Sequence, residues 1–342
     1  MKVAFTLCSN NYFAQALILA ESFLMHNPEF EFYVGLIDQK SDDINYQQFN
    51  IKVLPVAEIE PGIYDLAIKY NIIELNTAVK PHYFFHFINT LNATEVFYLD
   101  PDICIYQPFN ELSQLLESND ILLTPHILTP IPLDGKTPFE NDFLNFGLYN
   151  LGFLGLKVTD NTISMLKWWK ERTYTYGYHQ LAKGLFVDQL WMNLVPILFK
   201  KALVIDQPGY NIGPWNLHER FLSKNEGSYY VNSESLLFFY HFSNLDPADN
   251  TKVHSVLNRY TITNRPDLKE IYTNYVDRLT GFNFFELKKV PCHYVEWRKE
   301  QLLKIEHEVY IKLSLGKKLI RSVKKGIPVK LKNMVRNSIQ AW

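Results

Sequence analysis

Cysteines, glycine-rich loops and long apolar runs are what this 342-residue sequence has least of. The three cysteines, Cys8, Cys104 and Cys292, are odd in number and too far apart for a zinc motif, so they read as buried thiols of a reducing compartment. No Gly-x-Gly-x-x-Gly follows the first apolar segment and no Walker-type loop occurs, which removes the main support for a dinucleotide or P-loop site. No apolar run approaches the roughly 20 residues needed to span a bilayer. The N-terminal run before Ser9-Asn10-Asn11 is too short for a signal peptide and reads as a first strand. The expectation is a cytoplasmic protein.

What is present excludes a disordered chain: 47% of residues are hydrophobic and 15% aromatic. The net charge of -2 is unevenly placed. Residues 309–342 hold nine Lys/Arg and no acid, so the preceding body keeps 25 bases against all 36 acids, a net of -11. In that tail Val309, Leu313, Ile320, Val323 and Ile327 recur at largely helical spacing between the bases. A basic amphipathic helix of this kind suits an anionic membrane surface. The acidic body opposes nucleic acid as a partner.

Along the chain, Lys2–Leu7 reads as a strand, Tyr12–Met25 as a helix and Phe30–Ile37 as a second strand. This is a βαβ unit, which implies a parallel sheet. Lys52–Val56 is a third strand. Asn76 or Thr77 then caps a helix running to Leu91 that carries Lys80 on an otherwise apolar surface. That lysine is either a snorkelling surface residue or a cation held near a phosphate. Pro125–Phe143 contains four prolines and no periodicity and reads as a long loop. Phe146–Leu156 is a strand or strand pair in which Gly152 permits close approach. Asp188 and Gln189 sit at a helix start, where the bland reading makes Asp188 an N-cap.

The most informative stretch is Val96 to Tyr106. An apolar run ends at Leu99, Asp100 and Asp102 follow around Pro101, and apolar residues resume. Asp disfavours strands and Pro101 breaks the ladder, so both carboxylates belong at a strand's mouth, where open α/β sheets bind ligands. They read as turn residues or as two acids converging on a hard cation. A later apolar strand, Leu236–Tyr240, delivers His241 to its own end. Two carboxylates and an imidazole suit Mn2+ or Mg2+ better than a zinc cage.

Five pieces in order, Phe5-Thr6-Leu7-Cys8-Ser9-Asn10-Asn11-Tyr12, Tyr98-Leu99-Asp100-Pro101-Asp102, Tyr149-Asn150-Leu151-Gly152-Phe153, Val187-Asp188-Gln189 with Asn193, and Tyr240-His241-Phe242-Ser243, resemble the GT-A fold nucleotide-sugar glycosyltransferases. The likeness is strongest to family 8, the retaining galactosyl-, glucosyl- and glycogenin-type enzymes, and covers about residues 1–250. It implies an α/β fold of GT-A type, with a Rossmann-like, mostly parallel central sheet, helices on both faces and a C-terminal helical extension. The expected organisation is a catalytic domain over 1–255, a helical region over 256–308 and the basic tail over 309–342.

The same resemblance implies that Leu7, Cys8, Ser9, Asn10 and Tyr12 hold the nucleoside, with Tyr12 near the uracil. It implies that Asp100, Asp102 and His241 bind Mn2+ or Mg2+, and that Asp100 also touches the ribose. Asn150 and Gly152 would face the sugar, Asp188 and Gln189 would lie beside the anomeric carbon as the catalytic pair, and Lys80 would stand near the donor. The chain departs from the family after His241-Phe242. Ser243-Asn244-Leu245-Asp246-Pro247 replaces the expected Gly and the Lys-Pro-Trp that grips the diphosphate. That task falls to Lys252, Lys80, another base, or the metal and backbone.

The implied activity is metal-dependent transfer of a hexose from a UDP-sugar to a glycan or lipid-linked acceptor. Retention of configuration is implied too, in bacterial surface polysaccharide or lipopolysaccharide synthesis at the inner face of the membrane. A sugar nucleotidyltransferase would need a Gly-rich, Arg-containing loop after the first strand, which Cys8-Ser9-Asn10-Asn11 is not. A non-catalytic glycan-binding protein of the same fold is the other alternative.

Overall fold

Val3 to Cys8 are buried without interruption, as a strand covered on both faces requires. In the computed structural model, which describes residues 1–47, 51–249 and 251–326, this segment is strand β1 (Lys2–Cys8). Further along come β2 (Glu31–Leu36), β3 (Lys52–Pro55), β4 (Glu95–Leu99), β5 (Ile103–Ile105), β6 (Ile121–Pro125), β7 (Tyr149–Lys157), β8 (Ala202–Val204) and β9 (Phe239–His241). All of these except β5 and β9 form one seven-stranded sheet in the order β8-β6-β7-β4-β1-β2-β3. Its neighbours run parallel, except that β7 is antiparallel to both β4 and β6.

Successive side chains of a strand point to opposite faces. Ala4 and Cys8 of β1 join a core with Phe13, Leu17, Ala20 and Phe23 of helix α1 (Phe13–His26). Phe5, on the other face, meets Phe84 and Phe87 of helix α2 (Lys80–Leu91), each at a ring-centroid distance of 4.9 Å. Helices therefore cover both faces. Each fully buried Phe contributes about 1.5–3 kcal/mol. Helix α3 (Asp160–Tyr176) adds Trp169, fully buried against Phe84.

The helix expected to start at Asn76 or Thr77 and run to Leu91 is α2, which begins at Lys80, and a separate helix, Ile72–Ala78, precedes it. Asn71 caps Ile72–Ala78 through a capping box with Glu74, while Asn76 and Thr77 bond back to carbonyls of the preceding turn. A capping box needs an acidic or amide side chain three residues after the cap, and only Asn71 has one. The run read as one strand over Leu236–Tyr240 is divided between Ser235–Leu236 and β9, and His241 lies inside β9.

The long loop after β6 ends in a helix, Glu140–Phe146, and is tied down. Glu219 accepts from the backbone of Leu128 and Thr129, and Arg259 donates to Asp134 and to the carbonyls of Lys136 and Pro138.

The chain divides into two compact units, Met1–Tyr294 and Val295–Trp342. Helix α4 (Lys269–Gly281) and the short helix Phe284–Leu287 belong to the first. A long helix, α5, spans His293–Gly326. Among the described residues no helix is long and apolar enough to cross a membrane. Of the expected basic tail, 309–342, residues 327–342 lie outside the described residues.

Candidate active site and metal centre

The centre is built at the end of β4. Ile103 N–H donates to the Asp100 carbonyl at 3.2 Å, closing a turn over Pro101 and Asp102, and Asp100 N–H donates to the Gly152 carbonyl of β7 at 2.9 Å. After this turn the chain leaves the large sheet as β5, whose antiparallel partner is β9, with Ile103 opposite His241. The Asp102 carbonyl accepts Phe242 N–H at 2.9 Å and the Ile212 carbonyl accepts His241 N–H at 2.7 Å, which fixes the register.

The imidazole is thereby delivered to the carboxylates. His241 Nε2 lies 2.9 Å from Asp102 Oδ1 and 3.8 Å from Asp100 Oδ2. One ligand atom from each of the three residues falls within 4.8 Å of the others. The imidazole is 5% exposed whereas the carboxylates are 30% (Asp100) and 21% (Asp102) exposed, so the cluster is floored by protein and open above.

Electrostatics and sterics tighten the cluster. Burial alone would push the His241 imidazole down, but the Asp102 and Asp100 carboxylates outweigh it and raise it above its ordinary value. Burial likewise opposes ionisation of Asp102, yet His241 holds its carboxyl below the usual range. A side chain at position 152 would put its Cβ 2.5 Å from His241 Cε1, so glycine there makes room for the ring. Trp215 stands edge-on to the imidazole, with ring centroids 5.1 Å apart. Two carboxylates and one imidazole Nε2, with Nδ1 lacking a hydrogen-bond partner among the described residues, form a donor set that fits Mn2+ or Mg2+.

The other expected residues gather around Asn150–Gly152 of β7. Asn150 Oδ1 accepts from Gly152 N–H at 3.1 Å and from Asn211 Nδ2 at 3.0 Å, and its Nδ2 faces His126 Nε2 at 3.3 Å. Gln189 Oε1 accepts Leu151 N–H at 2.8 Å and its Nε2 donates to the Phe146 carbonyl at 2.9 Å. Both ends of that amide are therefore spent on backbone.

Asp188 is no N-cap. Val187 takes a left-handed φ of 42°, and the short helix Leu190–Leu194 begins only after Gln189, with no side-chain cap. The Asp188 carboxylate instead meets Lys80 Nζ at 2.7 Å, both side chains almost fully buried. Burial pushes the Asp188 carboxyl up, against the opposing pull of the Lys80 ammonium. Lys80 also donates to the Leu151 carbonyl at 3.2 Å and lies 4.0 Å over the Tyr98 ring, whose hydroxyl donates to Asp100 Oδ1 at 2.5 Å. Lys80 is thus not a snorkelling residue, and its ammonium is held by Asp188.

A cleft of about 240 Å³ adjoins the carboxylates, lined by Leu7, Cys8, Ser9 and Tyr12 together with Asn11, Tyr98, Asp100 and Asp102. Asn10 does not line it. Its N–H donates to Asp38, its Nδ2 to the Gln39 carbonyl, and its Oδ1 accepts from Tyr46. The opposite wall, Ile72, Ile73, Asn76 and Thr77, carries no motif, and only the strand-to-helix arrangement places it there. The Cys8 thiol is buried and pushed up by burial and by Asp38, so it is not a nucleophile.

No protein-family model matches the chain. It is 25% identical over 271 residues to the uncharacterised protein YfnF of Bacillus subtilis (strain 168), covering 78% of this chain and 89% of that protein. It is 22% identical over 280 residues to YfnD of the same organism, covering 79% and 86%. Among solved structures it is similar to the galactosyltransferase LgtC, solved in complex with donor and acceptor sugar analogues, at 16% identity and a TM-score of 0.47 over 87% of this chain and 99% of that one. It is also similar to the glycosyltransferase GlyE of Streptococcus pneumoniae TIGR4, at 13% identity and a TM-score of 0.46 over 85% of this chain and 65% of that one. Mouse xyloside xylosyltransferase 1 follows at 12% identity and 0.43 over 71% and 98%.

Proposed function

We propose that the chain is a metal-dependent GT-A type glycosyltransferase that moves a hexose from a UDP-sugar to a glycan or lipid-linked acceptor, with retention, in the synthesis of a bacterial surface polysaccharide or lipopolysaccharide. One observation carries the reading: the paired Asp100 and Asp102 and the sequence-distant His241 converge beside the cleft that the first strand's turn lines.

In this reading Tyr12 packs against the base, while Ser9, Asn11, Asn76 and Thr77 offer hydrogen-bond partners to the nucleoside. Asp100, Asp102 and His241 would hold a Mn2+ or Mg2+ ion, which would supply positive charge against the departing diphosphate. The bond from the anomeric carbon to the phosphate oxygen breaks with its electron pair going to the diphosphate. The acceptor oxygen bonds to the same carbon and face, and its proton passes to the departing diphosphate.

Asn150 and Gly152 present the end of β7 to the sugar. Gln189 holds Leu151 in place, and the Asp188–Lys80 pair sets the field beside the anomeric carbon. Asp188 is assigned this electrostatic role because its carboxylate is buried against Lys80. Positioning the acceptor hydroxyl supplies much of the remaining acceleration.

The test is release of UDP from a panel of UDP-hexoses with Mn2+, with chelator, and with Asp102→Asn. Release should depend on metal and fall roughly 100- to 1,000-fold in the variant. The absence of metal-dependent release, together with no stabilisation by UDP and Mn2+ in thermal unfolding, overturns the reading. The nine bases of residues 309–342 support peripheral attachment to an anionic membrane. Truncation after residue 308 should abolish binding to anionic vesicles and leave UDP-sugar hydrolysis intact. Undiminished vesicle binding overturns that part.

A further inference from the structure

Tyr12 and Asp102 line two clefts. The first is the one assigned to the nucleoside; the second, of about 420 Å³, is also bounded by Asn244, Asp246, Ser255 and Lys288. Charge balance asks for a cation at this junction. Asp100 and Asp102 bring two negative charges, which one divalent ion offsets, so a diphosphate arriving there still carries uncompensated charge.

The cations that the sequence offered for the task are committed elsewhere. Lys80 is sealed against Asp188. Lys252 pairs with Asp249 at 3.1 Å and lines a different cleft, beside Lys269 and Asp277.

Lys288 is placed differently. It ends the short helix Phe284–Leu287, where its N–H donates to the Phe284 carbonyl at 2.8 Å and the buried Phe284 ring anchors the turn. Its neighbour Lys289 is paired with Glu286 at 2.8 Å, but among the described residues no carboxylate lies within ion-pair distance of Lys288. Its ammonium rests 4.1 Å from the centroid of the ring of Tyr12, one of the two residues the clefts share. Asp246, the other carboxylate of that cleft, accepts Ala248 N–H at 3.0 Å.

We propose that Lys288 is the diphosphate-gripping base of this site, moving from its seat on Tyr12 to the phosphates of a bound nucleoside diphosphate. The proposal rests on the nucleotide-sugar reading of the cleft. Lys288 then does two things: it adds affinity for the diphosphate over the nucleoside, and it opposes the charge that grows there as the sugar leaves. A cation on a flexible stem suits a phosphate that must be held and then released.

The test compares the full chain with Lys288→Met, which keeps the apolar stem, and with Lys288→Arg, which keeps the charge. UDP is titrated calorimetrically in the presence of Mn2+, and uridine binding is followed by ligand-observed NMR. Lys288→Met should weaken UDP about 10- to 100-fold and leave uridine unchanged, the scale of one charge-assisted hydrogen bond. Lys288→Arg should retain most of the UDP affinity. UDP binding in Lys288→Met equal to the parent overturns the proposal. So does an equal loss for UDP and uridine, because the side chain would then act through Tyr12 alone. A parent protein that binds none of UDP, GDP and dTDP overturns the underlying nucleotide reading instead, a result distinct from either.

Discussion

Two charged clusters flank the same end of β7, and they use charge in opposite ways. Lys80 and Asp188 are sealed, with side chains 3% and 2% exposed, and the pair is wedged between the Leu151 carbonyl and the Tyr98 ring. Asp100, Asp102 and His241 share a floor but leave two carboxylates partly open. A buried pair returns its desolvation cost only while both partners are present, whereas an open carboxylate is satisfied by water when its partner leaves. The sealed pair is thus committed to holding the site's shape, and the open cluster is available to a ligand.

The sharpest way to break this contrast is to remove one partner of the sealed pair. Asp188→Ala should cost on the order of 3–5 kcal/mol, because it strands a buried ammonium. The double replacement Lys80→Met with Asp188→Leu should recover much of that in chemical denaturation. Next in size is a pH effect on the polar layer behind the site. Burial pushes the His126 imidazole down to about 4, while an unfolded histidine titrates near 6.5. The unfolded state therefore binds the extra proton over that interval and the native state does not. Stability should fall as pH drops from about 6.5 to 4, by on the order of 3 kcal/mol, and His126→Gln should flatten the profile.

A smaller loss is expected at Gly152. Gly152→Ala forces a methyl against His241 and Asn150 Oδ1, which should cost about 1–3 kcal/mol and weaken Mn2+ binding measured by titration. The smallest change in stability belongs to the open cluster. Asp102→Asn should shift unfolding by less than about 1 kcal/mol without metal, yet abolish the stabilisation that Mn2+ and UDP give the parent. A loss as large as that of Asp188→Ala would erase the distinction between the two clusters.

The residues that can be read in sequence are those whose chemistry conflicts with local preference. Two acids around a proline in the middle of an apolar run conflict with strand preference and mark the turn between β4 and β5, and a histidine at the end of another apolar strand is nearly as conspicuous. The meeting of those strands needed the antiparallel pairing of β5 with β9, which no local pattern encodes. The direction of β7 was equally silent, since a strand apolar on both faces looks the same whichever way it runs.

Asn10 and Asp188 show the converse. Each sits in a recognisable motif, but long-range partners consume Asn10 at Asp38 and Tyr46 and Asp188 at Lys80. Lys288 could not be singled out at all. It lies outside the stretch that resembles known enzymes, and only the folding back of Phe284–Leu287 brings it to Tyr12.

The register of β5 against β9 has a consequence for biosynthesis. The imidazole arm leaves the ribosome long after the acidic arm, so a product interrupted before residue 241 would carry both carboxylates without the imidazole, and its β5 would have no antiparallel partner.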